Sequence, residues 1–350
     1  WSIYLPEQGR GAAPPGWLGR WRGDGIIARI ETPQIARAVA ATRLPAVDVS
    51  AGRHLPGIPW VETDDEAITH AALEHLSHRG FRRFAYCGEP QFNWSRWRRD
   101  CFDRVVAQMG GQSYVYESAA KAGKPVPYYR EHQRLVAWVR KLPKPVGVIA
   151  CYDIKGQQLL DACRDADIAV PEEVAVIGVD NDDLLCNLAS PPLSSVIPNT
   201  RRTGYQAAAL LARMMAGESL GEEAQRIPPL GIATRQSTDT LAIDDPDVAA
   251  AVRFIREHAC EGINVADLLR ALPFTRRDLE TRFRKILACT PHEEIVRVRI
   301  DRVKQLLCET DLPIRRIAEL TGFRHVEYMS AAFKRRIGLP PRDYRSEAQT

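Results

Sequence analysis

The chain lacks most of what marks an enzyme, a membrane protein or a secreted scaffold. The 350 residues hold no G-x-G-x-x-G or Walker pattern, and the one G-x-S-x-G match, Gly217 to Gly221, follows a helical stretch and not the strand a nucleophile elbow needs. A hydrolase elbow and a phosphate-cradling loop therefore have no basis here. Its eight cysteines (Cys87, Cys101, Cys151, Cys163, Cys186, Cys260, Cys289 and Cys308) contain no C-x-x-C pair, and the two close Cys/His spacings, His258 with Cys260 and Cys289 with His292, are isolated pairs. That removes the support for a zinc site, and a disulfide framework is not expected in a chain this large with a good core. The expectation is buried, reduced thiols in a cytosolic protein, with no cofactor. No apolar run approaches the roughly 18 residues of a membrane span, and no basic-then-apolar leader opens the chain. It starts at Trp1, inside what reads as a strand (SIYLPE), which suggests a fragment.

What is present is uneven. The net charge is only +4, yet residues 270–345 hold 18 Lys+Arg against 10 Asp+Glu. The remainder is acidic, so the C-terminal part is the one suited to an anionic partner. A solvated basic face is the plain alternative. The length suggests two or more domains.

Up to about residue 240, short β-rich runs alternate with amphipathic helical stretches. GIIARI, AVDVS, RRFAYCG, SYVYE, VGVIACY, EVAVIGVD and SSVI read as strands. VGVIA and VAVIGV are apolar throughout, as parallel strands covered on both faces are. The pattern predicts a doubly wound parallel sheet with ligands beyond the carboxyl ends of its strands. RQSTDTLAIDDPD (235–247) is polar, Asp-rich and broken by Pro246, and reads as linker. The division is a first domain at 1–240, a linker at 241–247 and a second domain at 248–350. The second has only helical patterns.

Two segments of that helical region share one layout. Each has a short helix (Val265, Leu268, Leu269; Ile314, Ile317, Ala318 inward) and a tight turn (Pro273-Phe274; Gly322-Phe323). Each then has a longer helix with apolar anchors four apart (Leu279, Phe283; Met329, Phe333), offset by 49 to 50 positions from one segment to the other. This is a helix-turn-helix twice over, joined by HEEIVRVRIDRVKQLL. A helix reading the major groove exposes polar residues in its first turn. Those are Thr275, also an N-cap candidate, with Arg276 and Arg277 in the first, and Arg324, His325 and Glu327 in the second. Paired Arg–guanine bonds discriminate by about 1–3 kcal/mol. Arg282, Arg284, Lys334, Arg335 and Arg336 are placed for phosphates. Any one of these cations alone could be a solvated surface charge; the duplication argues otherwise.

Residues 248–345 resemble the DNA-binding region of AraC/XylS-type activators. The second motif carries the family pattern in Ile317-Ala318, Gly322-Phe323, Tyr328, Phe333-Lys334, Gly338, Pro341 and Tyr344-Arg345. Pro340 stands where that family usually has Thr, and Pro273 where the first turn usually has Gly. The expected ending is a helix stopped at Gly338 and a closing turn that packs back.

The first 240 residues are similar to the sugar-sensing domain of the LacI/GalR family, itself like periplasmic sugar-binding proteins. The match runs through GDGIIARI, LPAVDVS, VETDDEAITHAALEHLSHRGFRRFAYCG, PEEVAVIGVDNDD, LSSVIPNTRRTGYQAAALL and RQST, with that family's first strand and helix missing. Sugar hydroxyls need carboxylates and guanidinium groups, and an aromatic face for the ring. Asp180-Asn181 after VAVIGV and Asp153 after VGVIACY supply carboxylates at strand ends. Arg98 matches the family's ligand-holding Arg, flanked by Trp94 and Trp97. The alternatives are helix caps for Asp153 and Asp180 and plain packing for the two Trp. Pro198 takes a position where relatives often have a ligand-contacting Gln.

Together these resemblances imply a sugar-responsive transcription activator, not an enzyme, acting as a cytoplasmic homodimer on operator DNA and RNA polymerase. Similarity along the whole chain to activators of pentose use implies D-xylose as the monosaccharide effector, with ligand closure of the sensor repositioning the readers of the dimer. The competing readings are another small sugar, or a sensor half that only dimerises. A repair enzyme fused to a DNA reader would need the clustered cysteines that are absent.

Overall fold

The computed structural model describes residues 2–4, 13–119, 126–239, 243 and 245–349. The first part runs β1 (Ile26–Ala28), α1 (Pro33–Thr42), β2 (Ala46–Asp48), β3 (Trp60–Thr63), α2 (Asp65–Ser77), β4 (Phe84–Gly88), α3 (Asn93–Gln108) and β5 (Ser113–Glu117). It continues with α4 (Tyr128–Lys141), β6 (Val146–Ala150), α5 (Asp153–Asp165), β7 (Val174–Val179), α6 (Asp183–Leu188), β8 (Ser194–Ile197), α7 (Thr200–Met215), β9 (Ala224–Ile227) and β10 (Gly231–Ala233). Helices alone follow: α8 (Pro246–His258), α9 (Val265–Ala271), α10 (Arg276–Leu287), α11 (Pro291–Glu309), α12 (Ile314–Leu320), α13 (Val326–Ile337) and α14 (Pro341–Gln349).

The chain divides into two compact units. The first takes residues up to Asp64, Phe92–Trp94 and Asn199–Pro228. Its parallel sheet has the order β1-β2-β3-β9 and packs Val47 and Val61 against Ala207, Leu210 and Leu211 of α7. β3 and β9 were not expected: WVET and AQRI carry too few apolar residues for a strand signal, and their pairing with neighbours makes them strands. Ser2–Tyr4, expected to begin a strand, are in none; the rest of SIYLPE lies outside the described residues.

The second unit holds a six-stranded sheet of order β10-β8-β7-β6-β4-β5, parallel except for β10. Every residue of β4, β6 and β7 is buried, as the unbroken apolar runs require. The reading of 235–247 as linker is too wide. Ser237 and Thr238 are wholly buried: Ser237 Oγ donates to the Val176 carbonyl at 2.6 Å, and Arg79 Nε donates to the Thr238 carbonyl at 2.7 Å. Residues 240–242 and 244 lie outside the described residues. Pro246 breaks nothing; it is the first residue of α8, where a missing N–H has no helical acceptor to lose.

The helical region has two cores. Leu268, Leu279, Phe283 and Phe274 fill the first, with α8 and Ile295. Ile317, Met329, Phe333 and Phe323 fill the second, with Ile300, Val303 and Leu307 of α11. One long helix, capped by Thr290 and Glu293 in a reciprocal box, thus serves both helix-turn-helix units. Gly322 turns α12 into α13 at φ 73. A Cβ there would stand 2.7–2.8 Å from backbone atoms of Gly262, Ala259 and Cys260, so only glycine fits. After Gly338, left-handed at φ 90, the chain forms a helix, α14, where a closing turn was expected; Pro341 opens it with its preset φ. Tyr344 packs edge-on against Phe333 at 5.3 Å.

Candidate functional site

The carboxyl ends of β6 and β7 meet the N-terminal half of α3. Arg98, on α3, is 5% exposed. Its Nε donates to Asp65 Oδ1 at 2.7 Å and its Nη1 to the Cys151 carbonyl, just past β6, at 2.5 Å. Burial alone would lower the pKa of the guanidinium, but Asp65, with Asp180 beyond it, raises it instead. A fixed cation is thus built into the strand ends.

Past β7 the backbone is strained. Asp180 has φ 115 and Asn181 φ 51, a conformation that non-glycine residues hold only when their surroundings impose it. Three bonds do so here. Asp180 N–H donates to the Val196 carbonyl at 3.2 Å, Asn181 N–H to Ser195 Oγ at 3.0 Å, and Asp182 N–H to Asp153 Oδ2 at 2.9 Å. Ser195 Oγ in turn donates to Asp153 Oδ1 at 2.6 Å. The turn leaves Asp180 exposed and the buried Oδ1 of Asn181 without a hydrogen-bond partner. A buried acceptor left open suits a ligand hydroxyl.

Asp153 caps no helix. Tyr152 holds the N-cap position of α5, and the cap of α6 is Asp182, not Asp180. At 2% exposure the Asp153 carboxyl is pushed up to about 6, chiefly by burial with Asp180 adding to it. It sits so close to β7 that a side chain on Gly178 would fall 2.2 Å from its Oδ1. Its bonds brace the Asp180–Asp182 turn.

Arg98, Asp153, Asp180 and Asn181 therefore gather at one edge of the six-stranded sheet. Trp97, on α3, is 38% exposed. Trp94, at the start of α3, belongs to the first unit and stacks on Phe92 with centroids 5.0 Å apart. Sequence reasoning missed Asp65 and Ser195. Asp65 reads only as a favourable acid in a helix's first turn, and nothing local ties it to Arg98, 33 positions away.

In the helical region, Thr275 caps α10, accepting from Asp278 N–H at 3.3 Å. Arg276 is 73% exposed, with Glu280 Oε1 3.3 Å from its Nε, and Arg277 is exposed beside it. Arg282 is held by three carboxylates, Asp278 at 2.9 Å, Asp245 at 3.1 Å and Asp247 at 3.4 Å. It ties α8 to α10. On the second unit Arg324 and His325 precede α13, with His325 at the N-cap position, and Glu327 lies in its first turn. Lys334 and Arg335 are exposed in its last turn. Arg336 turns instead to α2, its Nη2 2.6 Å from Glu74 Oε1. Two recognition-type helices thus present cations on one side and bury Leu279–Phe283 and Met329–Phe333 on the other.

Residues 73–238 match the periplasmic binding protein-like domain family, and residues 268–347 a helix-turn-helix domain family. The chain is 34% identical to the xylose operon regulatory protein of Escherichia coli (strain K12), over 99% of this chain and 89% of that protein. It is 35% identical to the protein of the same name in Haemophilus influenzae (strain ATCC 51907 / DSM 11121 / KW20 / Rd), over 92% and 84%. Among solved structures it is similar to the xylose-binding transcription activator XylR, with a TM-score of 0.59 and 34% identity, over 93% of this chain and 87% of that one.

Proposed function

The chain belongs to the family of xylose operon regulatory proteins, and from that premise we propose that it is a D-xylose-dependent transcription activator without catalytic activity. The sensor is taken as residues 1–240, the reader as 248–350, with 241–247 between them. The carrying observation is the strained Asp180–Asn181 turn, which sets an exposed carboxylate and an unpaired buried acceptor beside the buried Arg98–Asp65 pair. Fixed donors and acceptors of both kinds suit a neutral polyol. Asp180, Asn181 and Arg98 take sugar hydroxyls, Asp153 holds the turn, and Trp97 offers aromatic cover.

The reader binds operator DNA. Arg276, Arg277, Arg324, His325 and Glu327 read bases; Lys334 and Arg335 hold phosphates. Arg282, engaged by Asp245, Asp247 and Asp278, positions α10 for that contact. The protein works in the cytoplasm as a homodimer, because paired readers suit half-sites set whole helical turns apart. Sugar closes the sensor, repositions the readers on DNA and brings RNA polymerase to the promoter. Calorimetry tests the sensor reading. The full chain should bind D-xylose, and Asp180→Ala should lose that binding; unchanged affinity would remove the site assignment.

A further inference from the structure

Three neighbouring strands of the six-stranded sheet end in a carboxylate. β7 is followed at once by Asp180, β6 within three residues by Asp153, and β4 at once by Glu89. With adjacent strands about 4.8 Å apart, the row spans roughly 10 Å, the scale of one monosaccharide. Glu89 is the member with no role so far. It is 8% exposed, and three side chains reach its carboxylate: Lys155 Nζ at 3.0 Å, Gln91 Nε2 at 3.2 Å and Tyr152 Oη at 3.3 Å.

Lys155 is 1% exposed and stands in the first turn of α5, where the helix dipole disfavours a cation. Two carboxylates offset that cost, Glu131 Oε1 being the second at 3.4 Å, and Gln158 Oε1 accepts from the same ammonium at 2.9 Å. Tyr152 is fixed from both sides. The carbonyl of Cys151 before it accepts from Arg98, and Asp153 after it braces the Asp180 turn. Its ring is half-buried at the same sheet edge.

We propose that Glu89 and Tyr152 are the specificity-determining end of the sugar site, with Lys155 as the positioning residue that fixes the Glu89 carboxylate. This rests on the reading that a sugar binds at these strand ends. A carboxylate offers about four lone-pair sites, and protein donors occupy three here. One remains, so Glu89 reads a single hydroxyl, while the Tyr152 ring covers the carbon face beside it. An epimer that inverts that hydroxyl leaves the acceptor unpaired.

The test is calorimetry on the full chain with D-xylose, D-ribose, L-arabinose and D-glucose, comparing wild type with Glu89→Gln, Tyr152→Phe and the double variant. These near-isosteric changes avoid the buried Lys155, whose removal endangers folding, and a thermal melt without sugar confirms the fold. Glu89→Gln should weaken D-xylose binding about tenfold, the worth of one hydrogen bond to a charged group. Tyr152→Phe, which keeps the ring and removes the hydroxyl that holds the Glu89 carboxylate, should weaken it by a smaller factor, and both should narrow the preference among the four sugars. The double variant should lose less than the product of the two, because the groups touch. Wild-type affinity and ranking in both variants would overturn the assignment while leaving the Asp180 reading in place. A uniform loss with the ranking intact would also overturn it, since the pair would then not discriminate. A wild-type chain that binds none of the four sugars would remove both readings.

Discussion

Arg336, in the last turn of the second recognition helix, places its Nη2 2.6 Å from Glu74 Oε1 on α2. A cation that the sequence assigns to DNA phosphate is thus bonded to the sensor's own helix. α2 begins at Asp65, the partner of Arg98, so one helix carries a site residue at one end and a reader contact near the other. His78, close by on the same segment, is held down to about 3 by burial and by Arg297 of α11. It is neutral at physiological pH and adds no charge to the junction.

Breaking this contact should loosen the coupling between sugar and DNA more than either binding event. An ion pair this exposed is worth about 0–1 kcal/mol, so Glu74→Gln should change the ratio of operator affinities with and without D-xylose about two- to fivefold. Operator titrations at zero and saturating sugar measure it. Exchanging the two charges (Glu74→Arg with Arg336→Glu) should restore the ratio.

Arg98 and Asp65 are both 5% exposed and make one buried pair. Removing only the guanidinium leaves an uncompensated carboxylate, which costs about 3–5 kcal/mol. Arg98→Met should therefore lower stability in urea by that amount as well as abolish sugar binding. Asp180→Ala, at an exposed residue, should abolish binding with little change in stability.

Asp153 makes a pH prediction with a definite sign. Its folded-state pKa is raised to about 6 from an ordinary 3.8. Its contribution to stability is therefore fully present below the unfolded value and is lost as pH rises through about 6. Between pH 7.5 and 5 the wild type should gain about 1 kcal/mol from this group relative to Asp153→Asn. Urea unfolding of both proteins at the two pH values isolates the difference.

In the reader, roles should separate by kind of failure. Arg276→Ala should weaken one operator and blur preference at one or two base pairs. Lys334→Ala should weaken all sequences alike and lower the salt slope by about one. Arg282→Ala should leave the salt slope unchanged and lower the melting temperature, because its partners are Asp245, Asp247 and Asp278 and not phosphate. Anisotropy titrations across salt, with a melt, distinguish the three.

Much of this was legible from residue patterns because burial repeats them. Continuous apolar runs marked β6 and β7, and the doubled spacing of Leu279–Phe283 and Met329–Phe333 marked both helix-turn-helix cores. Asp153, Asp180 and Arg98 were legible as strand-end and helix-turn residues. Their partners were not. Asp65, Ser195, Glu89 and Lys155 are ordinary residues locally, and only the stacking of β4, β6, β7 and β8 side by side joins them. Arg282 and Arg336 looked like phosphate cations for the same reason: charge is visible in a sequence, but Asp245 and Asp247 reach Arg282, and Glu74 reaches Arg336, from other elements.

The central claim is that a sugar at the Asp180–Arg98 edge controls the hold of α10 and α13 on DNA. Operator footprinting with the full-length protein near half-saturation, with and without D-xylose, tests it most directly. Sugar should tighten binding by a coupling of about 1–3 kcal/mol, seen as full protection at concentrations where the sugar-free protein protects weakly, and Asp180→Ala should show the weak pattern in both conditions. Identical protection with and without sugar in the wild type would contradict the account.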